Sequence, residues 1–393
     1  MSAGAATPSA SGPGLVPGGL MPPERVNPDA VRPRAPGLLL HVDTGRWRAH
    51  LERVFTAYGG GLVPVCKGNG YGLGVARLAA EAARLGVGAV AVGTEWELAE
   101  VLPVFAGEVL VLTPWHAATG GPATAAAPQP RVLRTAAHIP AVRLLLTARV
   151  RVVLELRTGL GRHGISDAEI GGVAPLLAAS PELVAGWALH LPLDRPGGAN
   201  PLRDVSEWVG RLRGLQLPVN ALWVSHLTPA EVALLGASLP DVAIRPRVGT
   251  DLWLGDRAAL RVTGTVLDVH ALGRGQRSGY RQRRAPAAGH LIVVAGGTAH
   301  GVALEAPRAV RGPLPRARAL AMGVLAAGNA SLSPFTYRAK ARWFIEPPHM
   351  QVSLLFLPAD VTPPAVGDEL DCRVRMTTLR PDAVIDGPGP GAS

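Results

Sequence analysis

The sequence predicts a (β/α)8 barrel of the TIM type, followed by a C-terminal domain made mainly of β-strands. From about residue 36 to residue 255, short β-branched runs alternate with amphipathic stretches, the pattern of βα units around a parallel sheet. After Gly255, β-rich runs such as "ALRVTGTVLDVHAL" and "HLIVVAGG" are separated by Gly/Pro turns and show little helical periodicity. We therefore expect a barrel over residues 36–255 and a β domain over residues 256–385.

The first of these regions contains eight candidate strands, the number that closes a barrel in ~220 residues. Between the first two strands, Val75, Leu78, Ala79 and Ala82 recur at helical spacing, which predicts a helix with one apolar face on the sheet. In the second region, "GPLPRARALAMGVLAAGNASLSPF" is expected to form a loop or a short helix. The candidate barrel strands are Leu62 to Cys66, Ala89 to Val92, Val109 to Leu112, Arg131 to Arg134, Arg151 to Leu156, Ala185 to His190, Ala221 to Ser225 and Ala243 to Arg247.

The two ends of the chain are expected to lie outside both domains. Residues 1–35 form an Ala/Pro/Ser/Gly-rich tail that is too poor in large apolar groups to fold, and residues 386–393, "DGPGPGAS", are expected to fray. The first residues lack the pattern of a secretory signal, and no apolar run reaches the ~18 residues of a membrane span. The two cysteines, Cys66 and Cys372, make neither a disulfide framework nor a metal-ligand cluster. We expect a cytoplasmic protein without a metal site or a membrane partner.

The charge of the chain is strongly positive, at +10. The arginines are scattered, aromatic residues are few, and the densest basic run, "GQRSGYRQRR" at residues 275–284, is short. A nucleic-acid interface needs a clustered basic face or a recognisable module. The composition therefore favours a solvated basic surface, and no nucleic-acid partner is expected.

Lysine occurs only twice, at Lys67 and Lys340, although the chain has 39 basic residues. Lys67 lies in "PVCKGNGYGLG", directly after the first predicted barrel strand and so at the face where barrel active sites form. The alternating glycines let the backbone approach a ligand or take positive φ, but they match neither a dinucleotide fingerprint nor a Walker loop. Two interpretations stay open from position alone. Lys67 is a desolvated amine that a carbonyl cofactor captures as a Schiff base, or its stem packs on the rim while its head reaches water.

Several segments resemble motifs of the alanine racemase family. "VCKGNGYGLG" is similar to the family's lysine segment V-K-A-N-A-Y-G-H-G, and "LELRTGLGRHG" is similar to its K-x-D-T-G-M-G-R-x-G. Four further segments, "GWALH", "RVGTDLWLG", "SGYRQR" and "HMQVSL", resemble family motifs in the same order over about residues 38–375. The resemblance implies the barrel fold, pyridoxal 5'-phosphate (PLP) as cofactor and a small amino acid as substrate.

The same resemblance implies a role for each matching residue. Lys67 would carry the cofactor and act as the base on one face of the substrate α-carbon, and Tyr280 would act on the other face from the partner subunit of a homodimer. Arg162 and the backbone of Met350 would meet the substrate carboxylate, and Arg247 would face the pyridine nitrogen. The implied cofactor-binding residues are Lys67, Tyr71, His190, Thr228, Arg247, Gly249 and Thr250. From the residues alone, His190 could equally be a satisfied core histidine, and Tyr280 a surface residue in an arginine-rich turn.

Glu155 is a charge reversal relative to the family pattern. In the family, the lysine seven residues before the carboxylate-binding arginine is often carbamylated, and the resulting anion steadies that arginine. The matching residue here, Glu155, is already a carboxylate. We expect it to lie within salt-bridge reach of Arg162; the alternative is that it neutralises Arg157.

Other positions depart from the family pattern. The motif's histidine is Leu73, its Asn-Ser pair for phosphate is Leu227-Thr228, and the aspartate after its methionine is Gln351. No counterpart of the late phosphate-binding tyrosine is found in "RMTTLRPDAV", and "RWFIEPPHMQ" has no secure equivalent. The resemblance therefore implies either a racemase of alanine or a related small amino acid, or a non-catalytic protein that binds PLP.

Overall fold

The computed structural model describes residues 35–118, 129–198, 200–304, 312–327 and 330–388. After β1 (Leu38–Asp43), eight parallel strands follow one another around a barrel, and a bridge between Val65 and Ala91 joins its first two strands. The barrel strands are β2 (Val63–Pro64), β3 (Ala89–Val92), β4 (Glu108–Val111), β5 (Val132–Ala136), β6 (Val152–Leu156), β7 (Val184–Leu189), β8 (Ala221–Ser225) and β9 (Ala243–Val248). The predicted (β/α)8 barrel is confirmed.

Helices cover the outside of the barrel. The helix α2 (Val75–Arg84) buries Val75, Leu78, Ala79 and Ala82, the apolar face that their spacing predicts. The helices of this layer are α1 (Thr44–Tyr58), α2 (Val75–Arg84), α3 (Leu98–Val101), α4 (Ile139–Thr147), α5 (Ala174–Ala179), α6 (Pro201–Gly214), α7 (Pro229–Ser238) and α8 (Thr250–Leu254).

The barrel interior is apolar in its middle and charged towards the carboxyl ends of the strands. Successive side chains of a strand point to opposite faces, so every second residue of a barrel strand faces inward. Val65, Val153, Ala188 and Trp223 belong to one buried apolar cluster inside the barrel. The next inward positions towards the carboxyl ends are Lys67, Glu155, His190 and Ser225, which places polar groups together at the active-site face of the fold.

The second sheet is antiparallel except for its last pair. The β10 strand pairs with both β13 and β17, so that six strands, β10, β13, β16, β15, β14 and β17, close into a ring. A helix, α9 (Pro313–Ala327), precedes β14. The strands of the ring are β10 (Leu260–Leu272), β13 (Gly289–Ala295), β14 (Leu332–Tyr337), β15 (Lys340–Phe344), β16 (Val352–Pro358) and β17 (Glu369–Cys372), and β18 (Ala383–Gly387) lies at the edge of the same sheet. A separate two-stranded sheet consists of β11 (Arg277–Ser278) and β12 (Arg283–Arg284). The predicted C-terminal β domain is confirmed.

The two ends of the described chain meet in this second sheet. The β1 strand pairs with β10 and with β18, so it does not join the barrel although it precedes it in the chain. The expected fraying is wrong for Asp386 and Gly387, because both lie in β18 and Asp386 forms an ion pair of 2.6 Å with Arg77. Residues 36–393 form one compact unit, so the division at residue 255 stays a prediction. Among the described helices, none combines the length and apolar character that crossing a membrane requires.

Candidate active site

A cavity of about 1210 Å³ opens at the carboxyl ends of the barrel strands. Its walls combine residues from the loop after β2, the loop after β6 and the ends of β7, β8 and β9. The residues that the sequence analysis assigns to cofactor or substrate and that line this cavity are Lys67, Tyr71, Arg162, His190, Thr228, Arg247, Gly249 and Thr250. The structure therefore brings eight predicted residues to one place, while their roles stay predictions.

Lys67 projects into the cavity two residues beyond Val65. Its side chain is open to solvent through the cavity mouth, yet protein atoms surround much of it. This partial burial lowers the pKa of Lys67, and the positive charges of Arg162 and Arg247 lower it further, against the opposite influence of Glu97. The Glu97 carboxylate accepts a hydrogen bond of 2.8 Å from the Gly68 N–H and so fixes the loop that carries the lysine. The environment therefore destabilises the charged ammonium form of Lys67 relative to an exposed lysine.

Arg247 is the most deeply buried charge in the cavity wall, with 6% of its surface exposed. Burial lowers its pKa to about 10, while Glu155 raises it, so the guanidinium still holds its proton at neutral pH. Its Nε and Nη2 atoms have no hydrogen-bond partner among the described residues, and neither has Ser225 Oγ on the neighbouring strand. Buried donors of this kind are costly unless a partner accepts from them, which indicates that a ligand completes the site.

Glu155 is 3% exposed on β6, beneath the cavity. Burial raises its pKa, and the charges of Arg247 and then Arg162 oppose that shift. No ion pair within 4.0 Å joins it to Arg162 or Arg157 among the described residues. The expected salt bridge with Arg162 is therefore not formed, because that arginine lies on an exposed loop across the cavity mouth. Its proposed steadying effect, acting over a longer distance, stays a prediction.

His190 follows β7 directly, at the cavity wall. Burial, followed by the nearby charge of Arg247, lowers the pKa of His190 to about 3, so its imidazole is neutral at neutral pH. Its ring packs edge-on against His226, with 5.1 Å between the centroids. The Nδ1 atom of His226 is in turn hydrogen-bonded to the Leu191 carbonyl at 2.7 Å. This packing restricts the orientation of the His190 ring.

Tyr71 and the segment after β9 form one side of the cavity. Burial raises the pKa of Tyr71 to about 12, against the opposite influence of the nearby Thr250 side chain, which keeps the Tyr71 hydroxyl protonated. A Cβ atom at residue 249 would lie 2.3 Å from Tyr71 Oη, so Gly249 is needed for this close approach. The predicted residues Tyr71, Gly249 and Thr250 are thus in mutual contact.

Thr228 also lines the cavity, but its side chain has a structural task. Its hydroxyl donates to Glu231 at 3.0 Å, and its backbone N–H donates to the same carboxylate at 2.7 Å. These contacts form a capping box at the start of α7, and Arg195 pairs with Glu231. A phosphate contact at Thr228 would have to share these groups.

The cavity contains residues that motif comparison missed. Ser225 ends β8 and His226 follows it, and period-two alternation from the buried Trp223 would have identified Ser225 as inward-facing. Thr377 reaches the cavity from "RMTTLRPDAV", the segment in which no late tyrosine was found. No local pattern marks Thr377, because its position depends on tertiary contacts of the C-terminal segment.

Tyr280 and Met350 do not line this cavity in the described chain. Tyr280 lies in the turn between β11 and β12 with 85% of its surface exposed, and Met350 is 69% exposed. The two lie on neighbouring segments of the β domain, because the residue before Met350, His349, packs against the Tyr280 ring. Neither residue contacts Lys67 within one chain.

The chain combines a (β/α)8 barrel, with a lysine at the carboxyl ends of its strands, and a mainly antiparallel β domain. The family model that describes the N-terminal domain of alanine racemase matches residues 42–222. Alanine racemase of Corynebacterium glutamicum is 26% identical over 271 residues, which covers 65% of this chain and 74% of that protein. These sequence matches support a relationship to the alanine racemase family.

Solved structures show the same fold. Alanine racemase from Bartonella henselae with covalently bound pyridoxal phosphate superposes with a TM-score of 0.62 at 15% identity, covering 89% of this chain and 99% of that one. Histidine racemase from Leuconostoc mesenteroides subsp. sake superposes with a TM-score of 0.61 at 15% identity, covering 90% and 98%. The whole two-sheet architecture is therefore shared with both proteins.

Proposed function

We propose that this protein is a PLP-dependent amino-acid racemase that works as a homodimer, with Lys67 and Tyr280 as its two bases. The observation that carries the proposal is that one cavity holds a lysine of lowered pKa and a buried Arg247 whose Nε and Nη2 have no partner among the described residues. Its similarity to alanine racemase and the covalently bound pyridoxal phosphate of the Bartonella henselae enzyme support the choice of cofactor. A cytoplasmic location stays a prediction.

The described residues fit this cofactor. The unpartnered Nε of Arg247 suits a neutral ring nitrogen, which needs a donor, and an arginine that keeps its proton cannot accept one from that ring. Tyr71, Gly249 and Thr250 offer a hydroxyl and backbone N–H groups for a phosphate, in the region where barrels commonly bind one. Bound PLP supplies the electron sink that stabilises negative charge at the α-carbon of an amino acid.

The chain's own groups would then move the protons. The Lys67 amine would remove the α-proton from one face and return it, and the Tyr280 hydroxyl of the partner subunit would serve the opposite face. Arg162, at the cavity mouth, would hold the substrate carboxylate through its planar pair of donors. His190, neutral at neutral pH, would connect Tyr280 with Arg247 by hydrogen bonds and stay uncharged while doing so.

The substrate class is an α-amino acid, with alanine or a related small amino acid as first choice. Because histidine racemase shares the fold, the panel that tests the substrate must include large side chains as well as small ones. Each single enantiomer is incubated with PLP-loaded protein in heavy water, and deuterium uptake and loss of optical purity are measured. Racemisation of at least one amino acid is expected.

The cofactor is tested separately by reduction with borohydride. The label is expected on Lys67 and to disappear in Lys67→Ala, while Lys340→Ala provides the matched control because it removes the only other lysine. Label on Lys340, or no label, contradicts the proposal. Label on Lys67 without exchange of any amino acid would instead support the non-catalytic PLP-binding protein.

A further inference from the structure

The turn that carries Tyr280 is fastened to the rest of the β domain by one carboxylate. Glu346 is 2% exposed and lies in the loop between β15 and β16, within "RWFIEPPHMQ". It accepts hydrogen bonds of 2.9 Å from the backbone N–H groups of both Tyr280 and Arg281. These two residues form the tip of the β11–β12 hairpin, which two short strands of two residues each would hold only weakly.

A second contact fixes the aromatic ring itself. The His349 ring lies 4.3 Å from the Tyr280 ring between centroids, at an interplanar angle of 34°. The Nε2 atom of His349 is 2.6 Å from the same Glu346 carboxylate. One buried anion therefore binds the backbone beneath Tyr280 and also the ring that packs on its side chain.

The residue before Tyr280 fits this arrangement. Gly279 has φ of +75°, and a Cβ atom there would lie 2.2 Å from the Glu346 carboxylate. Burial alone would raise the pKa of Glu346, but the N–H groups of Arg281 and Tyr280 and the His349 ring together lower it, so the carboxylate stays ionised. Hydrogen bonds to a charged acceptor contribute about 1.5–3 kcal/mol each, more than neutral ones.

We propose that Glu346 and His349 are positioning residues, which hold the exposed Tyr280 in the orientation that it needs as the second base. This inference rests on the proposed function, because it assigns these residues to the Tyr280 half of a two-base reaction. It also explains the segment for which family motifs offered no counterpart. A rigid hairpin reduces the ordering cost when Tyr280 enters the partner's cavity.

The first test compares the two proton transfers in Glu346→Gln, which keeps the size of the side chain and removes its charge. Deuterium exchange that depends on Tyr280 is expected to fall about tenfold, the loss that corresponds to ~1.4 kcal/mol. Exchange through Lys67, borohydride labelling and Tm should change little. His349→Phe, which keeps an aromatic ring, should lose less than His349→Ala. Equal losses for both enantiomers, or none, would overturn the proposal.

The second test does not depend on activity. Hydrogen exchange of the peptide that covers residues 277–284, followed by mass spectrometry on the full-length protein, should be about tenfold faster in Glu346→Gln. Glu369→Gln is the matched control, because it removes another Glu–His pair of the same domain, with His41, that does not contact the hairpin. Unchanged hydrogen exchange of this peptide in Glu346→Gln would refute the restraint of the hairpin by Glu346, even if the enzyme is active. Faster hydrogen exchange of this peptide in a protein without racemase activity would refute the proposed function, while the restraint of the hairpin by Glu346 would stand.

Discussion

The barrel mouth and the Tyr280 hairpin are opposite in construction. Partial burial, followed by the charges of Arg162 and Arg247, lowers the pKa of Lys67, which lies in a cavity built from several strand ends. Tyr280 is 85% exposed on a two-stranded hairpin and is held chiefly by Glu346 and His349. One half of the proposed site is thus electrostatically tuned within the chain. The other half is an exposed element that, in the proposed homodimer, would gain its environment from the partner subunit.

The largest effect should come from breaking the exposed half alone. In Tyr280→Phe, deuterium exchange of the enantiomer that needs Tyr280 should fall by ~10² or more, the usual scale for removing a general base. The other enantiomer should still exchange through Lys67, and PLP should remain bound, because Tyr280 does not line the cavity of its own chain. Tyr337→Phe makes the same chemical change away from the hairpin and serves as the control. Mild, equal losses for both enantiomers would show that Tyr280 is not the second base.

Whether the two proposed bases come from different chains can be tested by mixing variants. Lys67→Ala protein lacks one base and Tyr280→Phe protein lacks the other, so each homodimer should be inactive. Random exchange of subunits in a symmetric dimer gives mixed dimers with one complete site, and about a quarter of wild-type activity should return. Sedimentation of the mixture should show dimers. No recovery, or full activity in a monomer, would mean that the two bases belong to one chain.

The same contrast explains how far the sequence predicts the fold. Each of the eight barrel strands lies within two residues of its expected bounds, because β-branched runs bounded by turn residues are a local signal. The placement of β1 could not be predicted in this way. Its partners, β10 and β18, are more than 200 residues away, and pairing over such a distance leaves no pattern in the strand itself.

The candidate site shows a similar division between local and distant signals. Lys67, His190 and Arg247 stand at strand ends within recognisable motifs, so their common location could be predicted. Glu346 could not, because its partners Tyr280 and Arg281 lie 66 and 65 residues earlier and contact it only through the tertiary fold. A segment without a family motif, such as "RWFIEPPHMQ", can therefore still contact a proposed catalytic residue.

A smaller effect is expected from the buried half, at Glu155. Its charge acts on Arg247 and, less strongly, on Arg162 without an ion pair to the latter. Glu155→Gln should raise the KM for the amino acid several-fold, because a less restrained Arg162 pays more to become ordered around the carboxylate. PLP binding should be retained, and wild-type activity should not respond to bicarbonate, since Glu155 needs no carbamylation. An unchanged KM, or activation by bicarbonate, would contradict this role.

The stability of the buried half should also depend on pH through His190. Its pKa is lowered from 6.5 to about 3 in the folded protein, chiefly by burial and by Arg247. Between these two values the unfolded chain binds a proton at this residue and the folded chain does not, so stability falls as pH falls through the window. The Tm of the wild type should therefore decrease more steeply than that of His190→Gln as pH drops from 6.5 towards 3. The difference in Tm between the wild type and His190→Gln should be smallest at neutral pH, where His190 is largely uncharged in both the folded and the unfolded state. His270→Gln, at an exposed histidine of β10, controls for the loss of any histidine. Parallel curves for the wild type and His190→Gln would show that His190 does not carry this dependence, and the electrostatic half of the comparison would then rest on Lys67 and Arg247 alone.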